Sequence, residues 1–480
     1  MIVANRPARA QNAQLMSFHL GKPILVMIVV AAISGTLIAL RAGLGERPDL
    51  VVWVFADIHA NAYRGEGNET GPTLIDQFTQ KTGKTVRVDI IAFRAENVRL
   101  VQMFMSDMGG PEVPDLAEVE IGAMGKYFRP PLNEVGFLPL NEYLKRDGWD
   151  KRIVKSRLAT WSKGDTIFGI PHDVHPVTLT YREDLFREAG IDLPASSNPA
   201  GLTWEEFIQK CLAFQKYWRS KGVNNRFALE LPQSNAQFLQ ILILQRHINV
   251  VDRFGKVHLN DPKVAHTLAM YARMLAGEDR IASEASTGDA AYAQDFNSGA
   301  IACFFTPDWR VSSARRHAPS LAGKVKMMPL PIFEPGDART ATYGGTMLGI
   351  PKRCKDPEAA WKLAQHLYLS KEGVAALRKY TDILPPVMEL WDDPHYHQPD
   401  PYYGGQKIGE MFVGLADEIP ERHVTPATLI AEQTLAYLLS ARAVPYAKEK
   451  GFNGLVEACQ TWLDDGAKDL VKRIEQGSFE

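Results

Sequence analysis

Two apolar runs separated by a helical segment open the main part of the chain. Residues 50–56 (LVVWVFA) are rich in β-branched and aromatic side chains, which predicts a buried strand. Leu74, Ile75 and Phe78 follow at helical spacing, and residues 86–91 (VRVDII) predict a second strand. A strand, a helix and a strand in about forty residues predict an α/β fold with a parallel sheet.

Clear start signals mark several helices farther along the chain. Thr203 and Glu206 have the spacing of a capping box, which predicts a helix that begins there. Asp-Pro pairs at 261–262 and 356–357 predict two more helices, because proline favours the first helical position. Ser370 is expected to cap a fourth helix.

Residues 392–405 (DDPHYHQPDPYYGG) combine proline, tyrosine and charged residues, and we expect them to form an exposed loop. His395 and His397 lie beside Asp392 and Asp393, which is a combination found in metal sites. A polar surface loop explains these four residues better, so the segment predicts no metal site.

The most apolar stretch of the chain lies near its start. Residues 23–40 carry no charge, and the basic segment before them contains no acidic residue. A spanning helix needs about 20 apolar residues and a signal peptide about 7–15, so the length fits neither class closely. A poor cleavage site at Ala39 and Arg41 favours an uncleaved membrane anchor over a cleaved signal, and a buried helix is the third alternative. The positive-inside rule places the residues after Arg41 outside the cytoplasm.

Composition and charge argue against several classes of protein. The 480 residues predict two or three domains, and 45% hydrophobic with 23% charged residues is typical of globular chains. A net charge of −2 argues against a dedicated nucleic-acid binder, which would usually carry an excess of basic residues. The four cysteines lack the spacing of a zinc site, and the sequence does not choose among their possible pairings.

The chain also contains four stretches that are characteristic in their order and spacing. They are GIPHDVHPVTLTYREDLFREAGIDLP at 169–194, TWEEF at 203–207, FNSGAIA at 296–302 followed by Trp309, and YGG at 343–345 followed by PEAAW at 357–361. Together these stretches resemble the extracellular solute-binding proteins of ABC sugar importers, that is family 1, the maltose-binding-protein-like proteins.

The resemblance implies a type II-like periplasmic-binding-protein fold, in which two α/β lobes are joined by a hinge and enclose a cleft. The approximate boundaries that it implies are residues 50–160 and 310–365 for lobe 1, and 166–305 and 366–480 for lobe 2. Residues 1–41 would precede the lobes as a leader that contains a signal peptide or a transmembrane anchor.

The resemblance further implies a protein that captures a mono- or oligosaccharide and delivers it to the permease subunits of an ABC importer. Such a protein is not an enzyme, needs no cofactor, and would work outside the cytoplasm, tethered to the inner membrane by residues 23–40. Two alternatives remain open. One is a membrane-anchored sensory or scaffold protein with the same fold, which the uncleaved-looking leader suggests. The other is a glycoside hydrolase, since the chain has many carboxylates that could serve as its acid and base.

Ligands of open α/β sheets lie beyond the carboxyl ends of the strands, and carbohydrates need aromatic faces and hydrogen-bonding groups. Nine residues near predicted strand ends meet these conditions and are our predicted ligand contacts: Asp57, Glu120, His172, Asp173, His175, Trp309, Tyr343, Gly344 and Gly345. The two glycines would let the backbone approach a ligand closely. His172 and His175 predict no metal site, because no further histidine or cysteine is near them in sequence.

Trp53 and Glu118 lie near these positions but are not among the nine predicted contacts. Trp53 lies inside an apolar run, so we expect it to pack in the core. Glu118 alternates with Glu120 along one strand and would share its face, so either of the two carboxylates is a candidate to reach the cleft.

Overall fold

The computed structural model describes residues 22–43, 47–67, 71–105, 113–196, 198, 201–284 and 289–479. The chain divides into two compact units, Met1–Pro48 and Asp49–Glu480. The first unit contains helix α1 (Lys22–Gly43), whose side chains at positions 26–36 are exposed. In the described residues, no helix is both long enough and apolar enough to cross a membrane. Positions 1–21 of the expected leader lie outside the described residues.

The strands of the second unit form two five-stranded sheets and one short hairpin. In chain order they are β1 (Leu50–Val54), β2 (Val86–Ile90), β3 (Leu116–Glu120), β4 (Ser162–Lys163), β5 (Thr166–Ile167), β6 (Ile170–Pro171), β7 (Val177–Tyr181), β8 (Phe227–Leu231), β9 (Ala282–Glu284), β10 (Ile301–Pro307), β11 (Lys326–Pro329) and β12 (Thr346–Gly349). The first sheet has the order β2–β1–β3–β12–β6, the second has the order β11–β7–β10–β8–β9, and β4 pairs with β5.

Helices surround the two sheets. In chain order they are α2 (Asp57–Arg64), α3 (Leu74–Thr82), α4 (Phe93–Met105), α5 (Ile121–Tyr127), α6 (Asn141–Arg146), α7 (Lys155–Thr160), α8 (Glu183–Glu188), α9 (Trp204–Ser220), α10 (Gln237–Gln245), α11 (Pro262–Leu275), α12 (Asp289–Ser298), α13 (Asp308–His317), α14 (Pro357–Ala364), α15 (Lys371–Arg378), α16 (Ile408–Ala416), α17 (Thr428–Leu438), α18 (Val444–Lys450) and α19 (Leu455–Glu475).

The predicted helix starts are confirmed. The Thr203 hydroxyl accepts a hydrogen bond from the Glu206 amide while the Glu206 carboxylate accepts one from the Thr203 amide, so the capping box of α9 is complete. Asp261, Asp356 and Ser370 each accept a backbone hydrogen bond at the N-terminus of the helix that follows them. These caps satisfy amide groups that an isolated first turn would leave without partners.

The first sheet contains the predicted strand–helix–strand unit. β1 pairs in parallel with β2 and β3, and the sheet becomes mixed because β12 pairs antiparallel with β3. Every residue of β1 is buried, with Val52 and Trp53 packed into different apolar clusters on the two faces of the sheet. Trp53 is 5% exposed, so its predicted place in the core is confirmed.

The second sheet is also mixed, with β8 and β10 parallel and β7 antiparallel to β10. We call the first sheet with its packed helices lobe 1, and the second sheet with its packed helices lobe 2. The chain passes from lobe 1 to lobe 2 between β6 and β7, and returns to lobe 1 between β11 and β12. The two crossing segments meet side by side, because Pro176 and Thr342 form an antiparallel bridge.

Several segments lie in a different lobe from the one that the expected boundaries assign, among them α13, which packs on β10. β6 lies in the first sheet, where it pairs with β12, and β11 lies in the second sheet, where it pairs with β7. Helix α15 contributes Val374 and Leu377 to the apolar cluster of the first sheet. For β6 and β11 the reason is that an edge strand joins the sheet whose neighbouring strand it pairs with. The position of the strand in the chain does not reveal which neighbour that is.

The segment 392–405 is only partly the exposed loop that its composition predicts. Tyr396, Tyr402 and Tyr403 are buried in an apolar cluster. Their burial is favourable because an exposed aromatic ring leaves a large apolar surface in contact with water. Asp400 forms an ion pair with Arg315, which anchors the segment to α13. Tyr396 and Arg315 also line a cavity of about 450 Å³ on this side of the molecule.

Candidate ligand-binding site

A cavity of about 430 Å³ lies where strand ends of the two lobes meet. Lobe 1 contributes Phe55, which follows β1, and Glu120, which ends β3. Lobe 2 contributes Trp309, which follows β10, and Gln240 of α10. The volume falls in the range of about 300–1,000 Å³ that is usual for small-molecule sites.

The structure brings together eight of the nine residues that we predicted as ligand contacts. The residues that line the cavity are Glu120, His172, Asp173, His175, Trp309, Tyr343, Gly344 and Gly345. Asp57 is exposed as the first residue of α2 and does not line the cavity, whereas its helix neighbours Ile58 and His59 do. Contact between any of these side chains and a ligand remains a prediction.

Trp309 and Tyr343 form an aromatic corner of the cavity. Their ring centroids are 5.8 Å apart, and the Trp309 indole N–H donates a hydrogen bond to the Tyr343 carbonyl oxygen at 3.1 Å. The Tyr343 hydroxyl donates to Oε1 of Gln237 at 2.9 Å, which connects the corner to α10. The two rings are therefore held in fixed orientations before any ligand arrives.

The two glycines after Tyr343 allow a buried cation to approach the backbone. Gly344 and Gly345 have φ angles of +85° and +139°, a region that residues with a side chain rarely adopt. A Cβ atom on Gly345 would lie 2.4 Å from a guanidinium nitrogen of Arg157. The glycines thus serve the packing of Arg157 as well as the shape of the cavity.

A chain of alternating charges lies behind this part of the cavity, where the chain crosses between the lobes. The Arg157 guanidinium donates to Oδ1 of Asp173 at 2.8 Å, and Oδ2 of Asp173 lies 3.0 Å from Nε2 of His175. Nδ1 of His175 in turn lies 2.6 Å from Oδ1 of Asp308. All four side chains are buried, and each positive group contacts a carboxylate, as a buried charge requires.

The pKa shifts follow from this arrangement. Burial alone would lower the pKa of His175, but the carboxylates of Asp173 and Asp308 outweigh it and raise the pKa to about 9. Burial would raise the pKa of Asp173, but the neighbouring positive charges hold it well below its usual range. His175 is therefore an imidazolium at neutral pH.

Asp173 and His175, which we predicted as ligand contacts, also have structural partners in this network. Both ring nitrogens of His175 face carboxylates, and Oδ2 of Asp173 also accepts a hydrogen bond from the Thr346 amide. Their polar atoms are thus occupied by protein partners. Both residues line the cavity, and their polar atoms stabilise its base and the lobe crossing.

A second buried network supports the lobe 1 wall. Glu118 accepts hydrogen bonds from the hydroxyls of Tyr63 and Tyr368, at 3.0 and 2.8 Å, and its other oxygen lies 2.8 Å from Nδ1 of His59. The His172 ring packs in tilted orientation between His59 and Tyr368, with ring centroids 4.4 and 4.6 Å away. Of the two glutamates on β3, Glu120 lines the cavity. Glu118 is fully buried behind the cavity wall, where it accepts the hydrogen bonds just described.

The lobe 2 wall contains functional groups that sequence reasoning missed. Gln237 and Gln240 lie one helical turn apart on α10, and Nη2 of Arg422 lies 3.5 Å from both Gln240 Oε1 and Glu432 Oε1. Glutamines at one-turn spacing in the otherwise apolar helix QFLQILILQ, which also ends in Gln245, were a signal that was available in the sequence. Arg422 and Glu432 gave no such signal, because only the tertiary fold brings them to the cavity.

Contacts between the lobes lie along the rim of the cavity. A Cβ atom on Gly125 of α5 would lie 3.0 Å from the carbonyl oxygen of Thr425, which precedes α17. Arg129 of lobe 1 donates a hydrogen bond to the Phe479 carbonyl at 2.6 Å. The two lobes are therefore in contact at these positions as well as at the crossing segments.

Within the described residues, no group of three or more histidine, cysteine or acidic side chains is arranged to hold a metal ion.

Comparison with known proteins places this architecture in a family. The model of the family described as bacterial extracellular solute-binding protein matches residues 73–400. The arabinooligosaccharide-binding protein of Bacillus subtilis (strain 168) is 22% identical over 406 residues, which are 82% of this chain and 87% of the relative. The protein of the same name from Halalkalibacterium halodurans is 22% identical over 388 residues, which are 79% of this chain and 81% of the relative.

Solved structures agree on the fold. The sugar-binding protein MalE from Xanthomonas citri superposes with a TM-score of 0.68 at 20% identity, covering 89% of this chain and 99% of that protein. The family is one of binding proteins rather than enzymes, as the resemblance implied. Because the family model spans more than half of the chain, this protein belongs to the bacterial extracellular solute-binding proteins.

Proposed function

We propose that this protein captures a carbohydrate in the cavity between its two lobes and delivers it to an ABC importer. The observation that carries the proposal is the juxtaposition of the Trp309–Tyr343 corner with polar groups from both lobes. A saccharide has apolar C–H faces that stack on aromatic rings and a rim of hydroxyls that need donors and acceptors. The names of the two relatives, which are arabinooligosaccharide-binding proteins, support the same class of solute.

The groups around the cavity suit a neutral polar solute. Glu120 faces the cavity, and burial raises its pKa, so this carboxyl is more readily protonated than a surface glutamate. The Gln237 and Gln240 amides and the Glu120 carboxyl are suited to hydroxyl groups, since they accept hydrogen bonds and the amides also donate them. The cavity volume of about 430 Å³ favours a small saccharide or one end of a longer one.

We further propose that the permease subunits of the importer are the partner, and that residues 23–40 direct the protein out of the cytoplasm and tether it to the inner membrane. The extracellular family supports a place outside the cytoplasm. The uncharged stretch after a basic segment supports an anchor or a signal, as the positive-inside rule expects.

A thermal-shift screen of the full chain tests the proposed solute class. The panel contains arabino-oligosaccharides, maltodextrins, common monosaccharides, glycerol phosphates and amino acids. A ligand at about 100 times its Kd stabilises the folded state by about 2.7 kcal/mol, which raises the melting temperature measurably. We expect a shift with at least one saccharide. Shifts with amino acids or glycerol phosphates alone would contradict the proposal.

A further inference from the structure

His59 has one ring nitrogen committed to a buried carboxylate. Its Nδ1 atom lies 2.8 Å from Oε2 of Glu118, whose side chain is fully buried. Oε1 of the same carboxylate accepts hydrogen bonds from the hydroxyls of Tyr63 and Tyr368, so Glu118 acts as an acceptor towards its hydroxyl neighbours. An ionised carboxylate can only accept hydrogen bonds, so the proton between the two groups resides on Nδ1 of His59.

The other nitrogen of the ring belongs to a residue that lines the cavity. The His59 ring lines the cavity, whereas Glu118 lies behind the wall, on the Nδ1 side of the ring. Among the described residues, Nε2 of His59 has no hydrogen-bond partner. A neutral imidazole with its proton on Nδ1 has a lone pair on Nε2, so this atom accepts hydrogen bonds and does not donate them.

The acceptor is held rigidly by its surroundings. Two tyrosine hydroxyls, those of Tyr63 and Tyr368, fix the Glu118 carboxylate from the other side. The His59 ring is packed between the His172 ring, with centroids 4.4 Å apart, and the Phe55 ring, with centroids 5.9 Å apart. A recognition group held by a second layer of buried hydrogen bonds loses little conformational freedom when a ligand binds.

We propose that His59 is a specificity-determining residue of the cavity, which accepts a hydrogen bond from a hydroxyl of the bound saccharide at Nε2, and that Glu118 is the positioning residue that fixes this acceptor role. The inference rests on the proposed carbohydrate binding and adds the residue that recognises one hydroxyl of the ligand by a hydrogen bond. A ligand analogue with hydrogen or a methoxy group in place of that hydroxyl has no proton to donate and binds more weakly.

The tautomer of His59 is the first test, and it requires no ligand. In the full chain labelled with ¹⁵N-histidine, long-range ¹H–¹⁵N spectra separate protonated from unprotonated ring nitrogens. The signals of His59 among the twelve histidines are assigned by their loss in His59→Phe. We expect a protonated Nδ1 and an unprotonated Nε2 near pH 8, and we expect Glu118→Gln to weaken that preference. A protonated Nε2 in the unmodified protein would overturn the proposal.

Binding of the saccharide found in the thermal-shift screen is the second test. His59→Phe keeps an aromatic ring without nitrogens, and we expect it to raise the Kd about 10- to 100-fold, the effect of losing one buried hydrogen bond. Glu118→Gln is expected to raise the Kd in the same direction. The double variant is expected to bind no more weakly than His59→Phe alone, because both substitutions remove the same acceptor.

Glu96→Gln is the matched control. Glu96 is also a buried acid, and burial together with the negative charge of Glu118 raises its pKa to about 9, so it is uncharged at neutral pH. No hydrogen bond joins it to His59. Converting a neutral carboxyl to an amide here should change the Kd less than about threefold.

The outcomes separate this inference from the function on which it rests. An unmodified chain that binds no saccharide overturns both. Saccharide binding that is unchanged in His59→Phe, or additive losses in the double variant, overturns the role of the His59–Glu118 pair and leaves carbohydrate binding intact. Should Glu118→Gln fail to fold, the His59→Phe titration and the tautomer of the unmodified protein still decide the question.

Discussion

The Nδ1 atom of His175 lies 2.6 Å from Oδ1 of Asp308, and this contact joins a segment that connects the lobes to the first residue of α13 in lobe 2. His175 belongs to the crossing between β6 and β7, and Asp308 begins α13 directly after β10. The other oxygen of Asp308 accepts a hydrogen bond from the Leu384 amide, in the segment that follows α15. His175 also has a φ angle of +56°, which is uncommon for a residue with a side chain. One buried ion pair thus fixes the paths of three segments at the base of the cavity.

Arg157 is predicted to be essential to the stability of this region. Arg157→Met removes the cation that compensates Asp173 and leaves a buried carboxylate with one charged partner fewer. Breaking a buried ion pair typically costs about 3–5 kcal/mol, and urea unfolding should show a loss of this size. Arg152→Met is the control, since Arg152 pairs with Glu389 at the surface and should cost at most about 1 kcal/mol. Equal losses in the two variants would contradict the assigned role.

The stability that His175 contributes should depend on pH in one direction. Its pKa rises from about 6.5 in the unfolded chain to about 9 in the fold. Its charged form therefore stabilises the fold fully below pH 6.5, and this contribution is lost as the pH rises through 9. His175→Asn removes the charge but tolerates a positive φ angle.

Urea unfolding of the unmodified protein and His175→Asn at pH 6, 8 and 10 measures this effect. We expect the difference in the free energy of unfolding to be largest at pH 6 and to shrink towards pH 10. A difference that is constant or grows with pH would show that His175 is not held as a cation.

The rim contact at Gly125 predicts a variant that binds weakly but folds normally. Gly125→Val places methyl groups against the Thr425 carbonyl oxygen of the other lobe, which lies 3.0 Å from the Cβ position. Overpacking costs about 1–3 kcal/mol, and an open cleft avoids the clash, so the Kd for the ligand should rise about 5- to 100-fold. Gly414→Val, at an exposed helical glycine with no atom within 4 Å, should leave the Kd unchanged. Unaltered binding in Gly125→Val would mean that closure at this rim is not needed.

Trp309 is predicted to stack on the solute. Trp309→Ala should weaken saccharide binding by about 1–3 kcal/mol, because it removes buried aromatic area and the hydrogen bond to the Tyr343 carbonyl. Trp309→Phe keeps an aromatic ring, so its Kd in a calorimetric titration should lie between those of the unmodified protein and Trp309→Ala. Tyr437→Ala is the control, since the Tyr437 ring is 55% exposed outside the cavity. A Trp309→Ala protein that folds and keeps its Kd would remove Trp309 from the site.

The sequence predicted those parts of the fold that depend on local chemistry. Thr203 and Asp356 start helices because a side-chain oxygen near a free amide stabilises the first turn in any context. β1 was predictable because a continuous apolar run has few alternatives to burial. Glu120 and Trp309 were found because both follow strand ends, where the sheets of this class place their ligands.

The features that the sequence did not predict depend on contacts between distant parts of the chain. Arg422 comes to the cavity from far beyond the last strand, and no local pattern marks it. The ion pairs of Asp173 and His175 were not predicted, because their buried partners, Arg157 and Asp308, are distant in sequence or follow another strand. The tyrosines of residues 392–405 illustrate the same limit, since composition predicts exposure and only packing explains their burial.

A crystal structure of the full chain with the saccharide from the thermal-shift screen tests the central claim most directly. We predict that the sugar lies in the cavity between the lobes, with a ring face on Trp309, a hydroxyl within hydrogen-bond distance of Nε2 of His59, and the rim at Gly125 closed. A sugar bound in the cavity beside Arg315, or on the outer surface with the cleft empty, would contradict the account.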